Sequence, residues 1–260
     1  IMAVAEAWVH PPINGVAYVR PDELHQIFNF DLLIAPFDAK TLFRLVNNTI
    51  EMLKDVGAYP TWAISNHDSP RVASRLGAEE ARALALFLFG LPGSCYVYNG
   101  EELGLPDAEV ADSDRQDPSF LRTNGETKGR DGARVPIPWS GKKTPFGFSS
   151  GKAWLPLPTT WNELTVEIQS SNSDSSLSLY KRALSERAKL LGANDFTWDV
   201  SKIDQGILGF SRAGIQVYLN SGDKSVKLQA SEIILSSSGA PTCENGEVEL
   251  MPRRAIWFKR

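Results

Sequence analysis

Three groups of residues carry side chains that can exchange protons and grip polar ligands. In Asn66-His67-Asp68-Ser69-Pro70-Arg71 an apolar stretch delivers an imidazole, a carboxylate and a guanidinium into one short turn. In Glu6-Ala7-Trp8 a lone carboxylate follows the apolar run of residues 1–5, where a strand would present it at its C-terminal end. In Arg130-Asp131-Gly132-Ala133-Arg134-Val135-Pro136-Ile137-Pro138-Trp139 two guanidinium groups sit among rigid prolines. A carboxyl kept protonated by burial and a neighbouring carboxylate can act as a general acid, and Trp8 offers Glu6 a low-dielectric wall. Plainer readings stand beside these. Asp68 also suits a helix cap in a solvated turn, Glu6 a strand-end charge, His67 a structural histidine, and Arg71 a surface charge at a helix start.

The elements that would position these groups alternate between strand and helix. Apolar runs at residues 1–5, 26–33, 59–65 and 94–98 read as strands. Between them, Asp38 caps a helix whose Leu42, Leu45, Val46, Ile50, Leu53 and Val56 recur at helical spacing, with Gly57 as its stop. Residues 78–89 form a second, almost wholly apolar helix. Such alternation predicts parallel β/α units, in which the loops after the strands build the site. Residues 106–176 are rich in Gly, Pro, Ser, Asp and Trp with little periodicity, and we read them as a long functional loop. A further helix is expected at 176–191. Beyond it, strand candidates at 207–211, 215–219, 225–228, 232–235 and 255–259 predict a small antiparallel β domain.

Composition narrows the classes. The 260 residues carry a net charge of -4, which gives no electrostatic case for nucleic acid or an anionic membrane. No apolar run approaches the ~18 residues of a membrane helix. Two cysteines, Cys95 and Cys243, make no disulfide framework, and Cys95 is expected inside a buried strand; a reduced, cytoplasmic setting follows as the expectation. His10 and His25 lack the company of other ligands that a metal site needs.

Together the motifs resemble the α-amylase superfamily of glycoside hydrolases, family 13, and within it the α-glucosidase and oligo-1,6-glucosidase branch. The resemblance rests on Glu6-Ala7-Trp8, on Asn66-His67-Asp68-Ser69-Pro70-Arg71, on Tyr98-Asn99-Gly100-Glu101-Glu102-Leu103-Gly104 and on residues 130–139. It implies the second half of a TIM (β/α)8 barrel, strands five to eight, over residues 1–195, followed by a small antiparallel β-sandwich over 196–260. By resemblance Glu6 is the general acid/base and Asp68 the carboxylate that stabilises the distorted sugar. His67, Arg130, Arg71 and Asn66 become substrate-binding residues, with Arg130 closing the subsite around the terminal glucose. Arg134, Asp131 and Trp139 are expected to support their loop, and Glu101 and Glu102 to be architectural.

Retaining cleavage of a glycosidic bond needs two carboxyl groups about 5 Å apart, an acid and a nucleophile. The family's nucleophilic aspartate follows strand four, upstream of Ile1, so the 260 residues alone are expected to be inactive. The expected activity is hydrolysis of terminal α-glucosidic bonds of short α-glucosides. A transglycosylating relative and a non-catalytic interaction subunit are the alternatives. No cofactor is expected of these residues, since the family's calcium sites lie mostly in the absent half; the expected partners are the α-glucoside and that half of the barrel.

Overall fold

In the computed structural model, which describes residues 1–193 and 195–260, short parallel strands carry the first part of the chain. These are β1 (Val4–Ala5), β2 (Gln26–Ile27), β3 (Thr61–Trp62) and β4 (Ser94–Cys95). Val4 pairs with Gln26 and Ala5 with Ile27; Thr61 pairs with Ser94 and Trp62 with Cys95, all parallel. A parallel bridge between Asn29 and Trp62 joins the two pairs in chain order. Polar side chains reinforce this short ladder. The Gln26 amide donates to Ser94 Oγ at 2.6 Å, the Tyr96 hydroxyl donates to Gln26 Oε1 at 2.7 Å, and the Thr61 hydroxyl donates to the Ile27 carbonyl.

The helices are α1 (Ala39–Lys54), α2 (Val72–Leu76), α3 (Ala78–Gly90), α4 (Pro118–Arg122), α5 (Val166–Ser171) and α6 (Ser176–Ala188). Helix α1 begins as its sequence dictates. The Asp38 carboxylate accepts from the Thr41 amide at 2.8 Å, and Ala39, Leu42, Val46 and Leu53 form the buried stripe. Helix α3 is buried all round from Ala83 to Phe89, as its uninterrupted apolar sequence requires. Parallel strands joined by helices match the β/α reading.

The chain forms two compact units. The first comprises Ile1–Ile64, Ala83–Tyr96 and Ala183–Arg260; the second comprises Ser65–Arg82 and Val97–Arg182.

Within the first unit lie the four parallel strands and a set of antiparallel strands. The latter are β5 (Phe196–Asp199), β6 (Ile207–Arg212), β7 (Ile215–Asn220), β8 (Val226–Gln229), β9 (Glu232–Ser236), β10 (Glu247–Leu250) and β11 (Arg254–Lys259). Five of them make one sheet in the order β5-β6-β7-β11-β9, while β8 and β10 pair separately. Two guanidinium groups satisfy carbonyls that the end of α3 leaves open. Arg187 donates from Nη1 to the carbonyls of Phe89 at 2.5 Å and Leu91 at 2.7 Å, and from Nη2 to that of Gly93. Arg212 reaches Gly90 O at 3.3 Å, Leu91 O at 2.9 Å and Leu190 O at 3.0 Å. The Trp257 indole donates to Leu86 O at 2.9 Å in the middle of the same helix.

The second unit has a hydrophobic core of its own. Leu103, Leu105, Phe146, Leu155 and Trp161 are each no more than 1 % exposed. Gln169 ties this core together, donating to Leu103 O at 2.8 Å and accepting from the Leu177 amide at 3.1 Å.

Several expectations change. Only Val4 and Ala5 of residues 1–5 are in a strand, and Ile1 and Met2 are exposed: β1 pairs only with β2 among the described residues, so ladder bonds form only where β2 runs beside it. Cys95 is half-buried rather than buried, because β4 pairs only with β3 among the described residues. The strand set gains β5 and β10. In β10, Glu-Val-Glu-Leu alternates strictly, but four residues with two charges give too short a signal to read from sequence.

Candidate active site

Ile64 and Ser65, past the end of β3, are buried, and the turn that follows is built by Asn66. Its Oδ1 accepts the backbone amides of Asp68 at 3.0 Å and Ser69 at 2.8 Å, an Asx turn that presents the next two side chains outward. Asn66 therefore acts here through the backbone. Asp68 does not cap α2; the amide of Val72 is taken instead by Ser65 Oγ at 2.9 Å.

The Asp68 carboxylate is the focus of the second unit's charges. Its Oδ1 accepts from Arg130 Nη1 at 2.7 Å and from Arg134 Nη2 at 2.8 Å, while His67 Nε2 lies 3.6 Å from Oδ2. Arg134 also donates from Nε to the His67 carbonyl at 2.8 Å, fixing the turn to the loop that carries both arginines. Partial burial pushes the Asp68 carboxyl up, but the Arg130 hydrogen bond, the charge near His67 and the Arg134 hydrogen bond outweigh it and hold the group below its ordinary value. Asp68 is 40 % exposed, so this anion is ready to meet a ligand.

Arg130 is aimed by a residue that the sequence did not single out. Asp117, 2 % exposed, accepts from Arg130 Nε at 2.7 Å and from the Arg130 amide at 2.8 Å, and it also caps α4 through the Ser119 amide at 2.9 Å. Asp131, fully buried, accepts the amides of Gln116 at 2.9 Å and Asp117 at 3.0 Å, so one carboxylate from each of two segments holds the other segment's backbone. Gly129 makes the approach feasible. Its φ is +73°, and an added Cβ would stand 2.7 Å from the Asp117 Cβ. The only local signal for Asp117 was its place before Pro118, a helix-start pattern.

Arg71 is turned inward, 2 % exposed. It donates to the carbonyls of Asn99 at 2.9 Å and Ala133 at 2.8 Å, and its guanidinium stands 5.0 Å from the Tyr98 ring centre. It clamps three segments of the second unit. Glu101 is also interior: the Tyr180 hydroxyl donates to its Oε1 at 3.1 Å, and burial pushes the carboxyl up to about 8 against the hydrogen bonds from Tyr180 and Ser65. Glu102 accepts the Gly100 amide at 2.9 Å.

Glu6 belongs to the first unit. It is exposed, one residue past β1, and Trp8 nearby is 56 % exposed with its ring 5.3 Å from that of Phe30. The second unit thus brings Asp68, His67 and Arg130 together and adds Arg134, while Arg71 and Asn66 serve its framework.

Such a cluster, one exposed carboxylate gripped by two guanidinium groups beside an imidazole, offers a polar ligand both charge-assisted donors and an ionised acceptor. Comparison with known proteins shows what the chain is similar to. A maltase, Maltase A1 of Drosophila melanogaster, is 29 % identical over 214 residues, covering 78 % of this chain and 37 % of the relative. An oligo-1,6-glucosidase of Parageobacillus thermoglucosidasius is 27 % identical, covering 72 % of this chain and 40 % of its own length. Among solved structures, an alpha-glucosyl transfer enzyme superposes with a TM-score of 0.81 at 27 % identity, over 99 % of this chain and 51 % of that one. The chain spans about two fifths of the curated relatives it matches and about half of the matched structure. The model of the alpha amylase catalytic domain matches residues 17–192, and the chain belongs to the alpha-amylase family.

Proposed function

We propose that these residues form part of a retaining α-glucosidase that releases glucose from terminal α-glucosidic bonds of short oligosaccharides. The observation that supports it most is Asp68, an exposed carboxylate held ionised by Arg130 and Arg134. In this reading Asp68 stabilises the oxocarbenium-like transition state, and the two arginines fix its orientation. Glu6 protonates the leaving oxygen and later activates water, while His67 binds sugar hydroxyls. The attacking carboxylate comes from outside these residues. The parallel order of β1 to β4 supports assigning them as strands five to eight of an eight-stranded barrel over residues 1–195, and the antiparallel sheet supports a β module over 196–260. The cytoplasm is the proposed compartment, with both cysteines unlinked. Because the relatives are more than twice as long, the 260 residues by themselves are expected to be inactive.

The test is Glu6→Gln in the protein expressed from its own gene. Hydrolysis of maltose should fall about 10²–10⁴-fold, the usual worth of a positioned general acid. Hydrolysis of α-glucosyl fluoride, whose leaving group needs no proton, should fall far less. Equal rates on maltose for the wild type and the variant would remove the assignment. A transglycosylating activity is the second reading, favoured by the similarity to an alpha-glucosyl transfer enzyme. Product analysis at high maltose separates the two: transfer gives one trisaccharide for each glucose released, whereas hydrolysis gives two glucose per maltose and no trisaccharide.

A further inference from the structure

The segment that follows β4 grips both ends of the turn carrying His67 and Asp68. At the near end, the buried hydroxyl of Ser65 donates to the Glu101 carboxyl, and its oxygen accepts the Val72 amide at 2.9 Å. At the far end, the Arg71 guanidinium donates to the Asn99 carbonyl at 2.9 Å and stands 5.0 Å from the Tyr98 ring centre. Between Asn99 and Glu101 the chain must pass close to Arg71. Gly100 allows it: its φ is +91°, and an added Cβ would stand 2.8 Å from Arg71 Nη1. Glu101 is itself held from behind, being 5 % exposed and accepting from the Tyr180 hydroxyl of α6 at 3.1 Å. None of the proposed catalytic roles uses these contacts.

We propose that Glu101 is a positioning residue for the reaction: through Ser65 it fixes the turn on which His67 and Asp68 meet the sugar. The inference rests on the α-glucosidase reading and goes beyond it. A serine hydroxyl has one proton to give. With Glu101 accepting it, the Ser65 oxygen is turned to the Val72 amide, and that buried hydrogen bond closes residues 66–71 into a fixed loop. Without the acceptor the hydroxyl swings away and Asp68 loses its line to the reacting ring, where a displacement of about 1 Å costs ~10²-fold in rate. Glu101 also brings a titration to the turn. Burial pushes its carboxyl up to about 8, and the groups that face it are Tyr180 from α6, the Arg71 guanidinium from the turn and Glu102 on its own segment. As pH rises through that value a charge appears in a dry interior. It repels Glu102 and draws Arg71 away from the carbonyls of Asn99 and Ala133, so the turn loosens on the alkaline side.

The test uses the protein expressed from its own gene and kcat/KM for α-glucosyl fluoride against pH, because departure of fluoride needs no proton from Glu6. The wild-type value should fall about fivefold between pH 7 and pH 9, and Glu101→Gln, whose amide does not titrate, should lack that step. Glu101→Ala and Ser65→Ala should each lower kcat about tenfold with little change in KM, the Gln variant recovering most of the loss at position 101. If Glu101 acts through Ser65, the double alanine variant is no slower than the slower single one. Losses that multiply, or an alkaline step retained in Glu101→Gln, overturn the inference. Where Glu101→Ala does not fold, Glu101→Gln and its combination with Ser65→Ala decide in its place. Should the wild type not turn over α-glucosyl fluoride at all, the α-glucosidase reading fails instead, and the His67 imidazole resonance judges Glu101. That resonance should carry a second inflection near pH 8 that Glu101→Gln lacks, and identical titrations in the two proteins overturn the positioning.

Discussion

Arg130 holds Asp117 through its Nε at 2.7 Å and Asp68 through its Nη1 at 2.7 Å, so one guanidinium joins a buried carboxylate to an exposed one. The buried partner fixes the arginine's direction, and the arginine fixes the charge of the exposed partner. Replacing Arg130 by Gln should therefore raise the Asp68 carboxyl toward its ordinary value. At mildly acid pH less of Asp68 is then ionised, so the acidic limb of the kcat/KM profile moves to higher pH. The plateau should fall about 10²-fold, the scale of losing one preorganised electrostatic group. A loss equal at every pH would mean that Arg130 acts on shape alone.

Asp117→Asn should destabilise the protein near neutral pH. Asp117 is held well below the usual carboxylate range by the Arg130 hydrogen bond, and the Ser119 cap adds to it. A depressed carboxyl contributes stability that is present above its unfolded value and is lost as pH falls toward its folded one. The deficit, about 2 kcal/mol because Arg130 is 41 % exposed and screened, should appear at pH 7 and shrink on acidification. Urea unfolding at several pH values measures it; a deficit that grows toward low pH contradicts the assignment.

Glu101→Gln should have the opposite pH dependence. Burial pushes the folded carboxyl up to about 8, above its ordinary value, so the stability tied to its proton is complete below the unfolded value and is lost as pH rises through the folded one. The Gln variant keeps a neutral side chain throughout. Relative to wild type it should gain stability between pH 5 and pH 8, at roughly 1.4 kcal/mol per unit and no more than a few kcal/mol in all. Thermal unfolding at those two pH values decides it, and a variant that loses ground as pH rises would count against the buried acid.

Gly129→Ala puts a side chain at φ +73° and a Cβ 2.7 Å from that of Asp117. Strain of this kind costs about 1–3 kcal/mol. The melting temperature should drop and, under the proposed function, so should the rate on maltose, because the displaced carboxylate is the one that aims Arg130. A full-rate, full-stability variant would show that the loop yields easily.

Helix α1 was legible because cap, apolar spacing and terminal glycine lie within one continuous stretch. The turn at Asn66 was legible as a polar turn because its side chains differ so sharply from the apolar strand before them. Residues 106–176 were not legible as a packed body. Phe146, Leu155 and Trp161 meet Leu103 and Leu105 with no repeating interval, so no periodicity exists to detect. Arg71 drew attention as a ligand contact, yet it is a clamp, because the carbonyls of Asn99 and Ala133 reach it only once distant segments have folded. Asp117 escaped notice for the same reason: Arg130 stands 13 positions away and the remaining partners are nearby backbone amides.

The second unit's separate core bears on how such a protein changes over generations. Ile137 and Leu155 secure the chain on either side of Trp139, Phe148 and Trp154 without calling on the strands or the antiparallel sheet. Exposed residues of this segment can then be exchanged while the scaffold that carries β1 to β4 keeps its own contacts. Those exposed side chains are free to drift, one aromatic at a time, at little risk to folding.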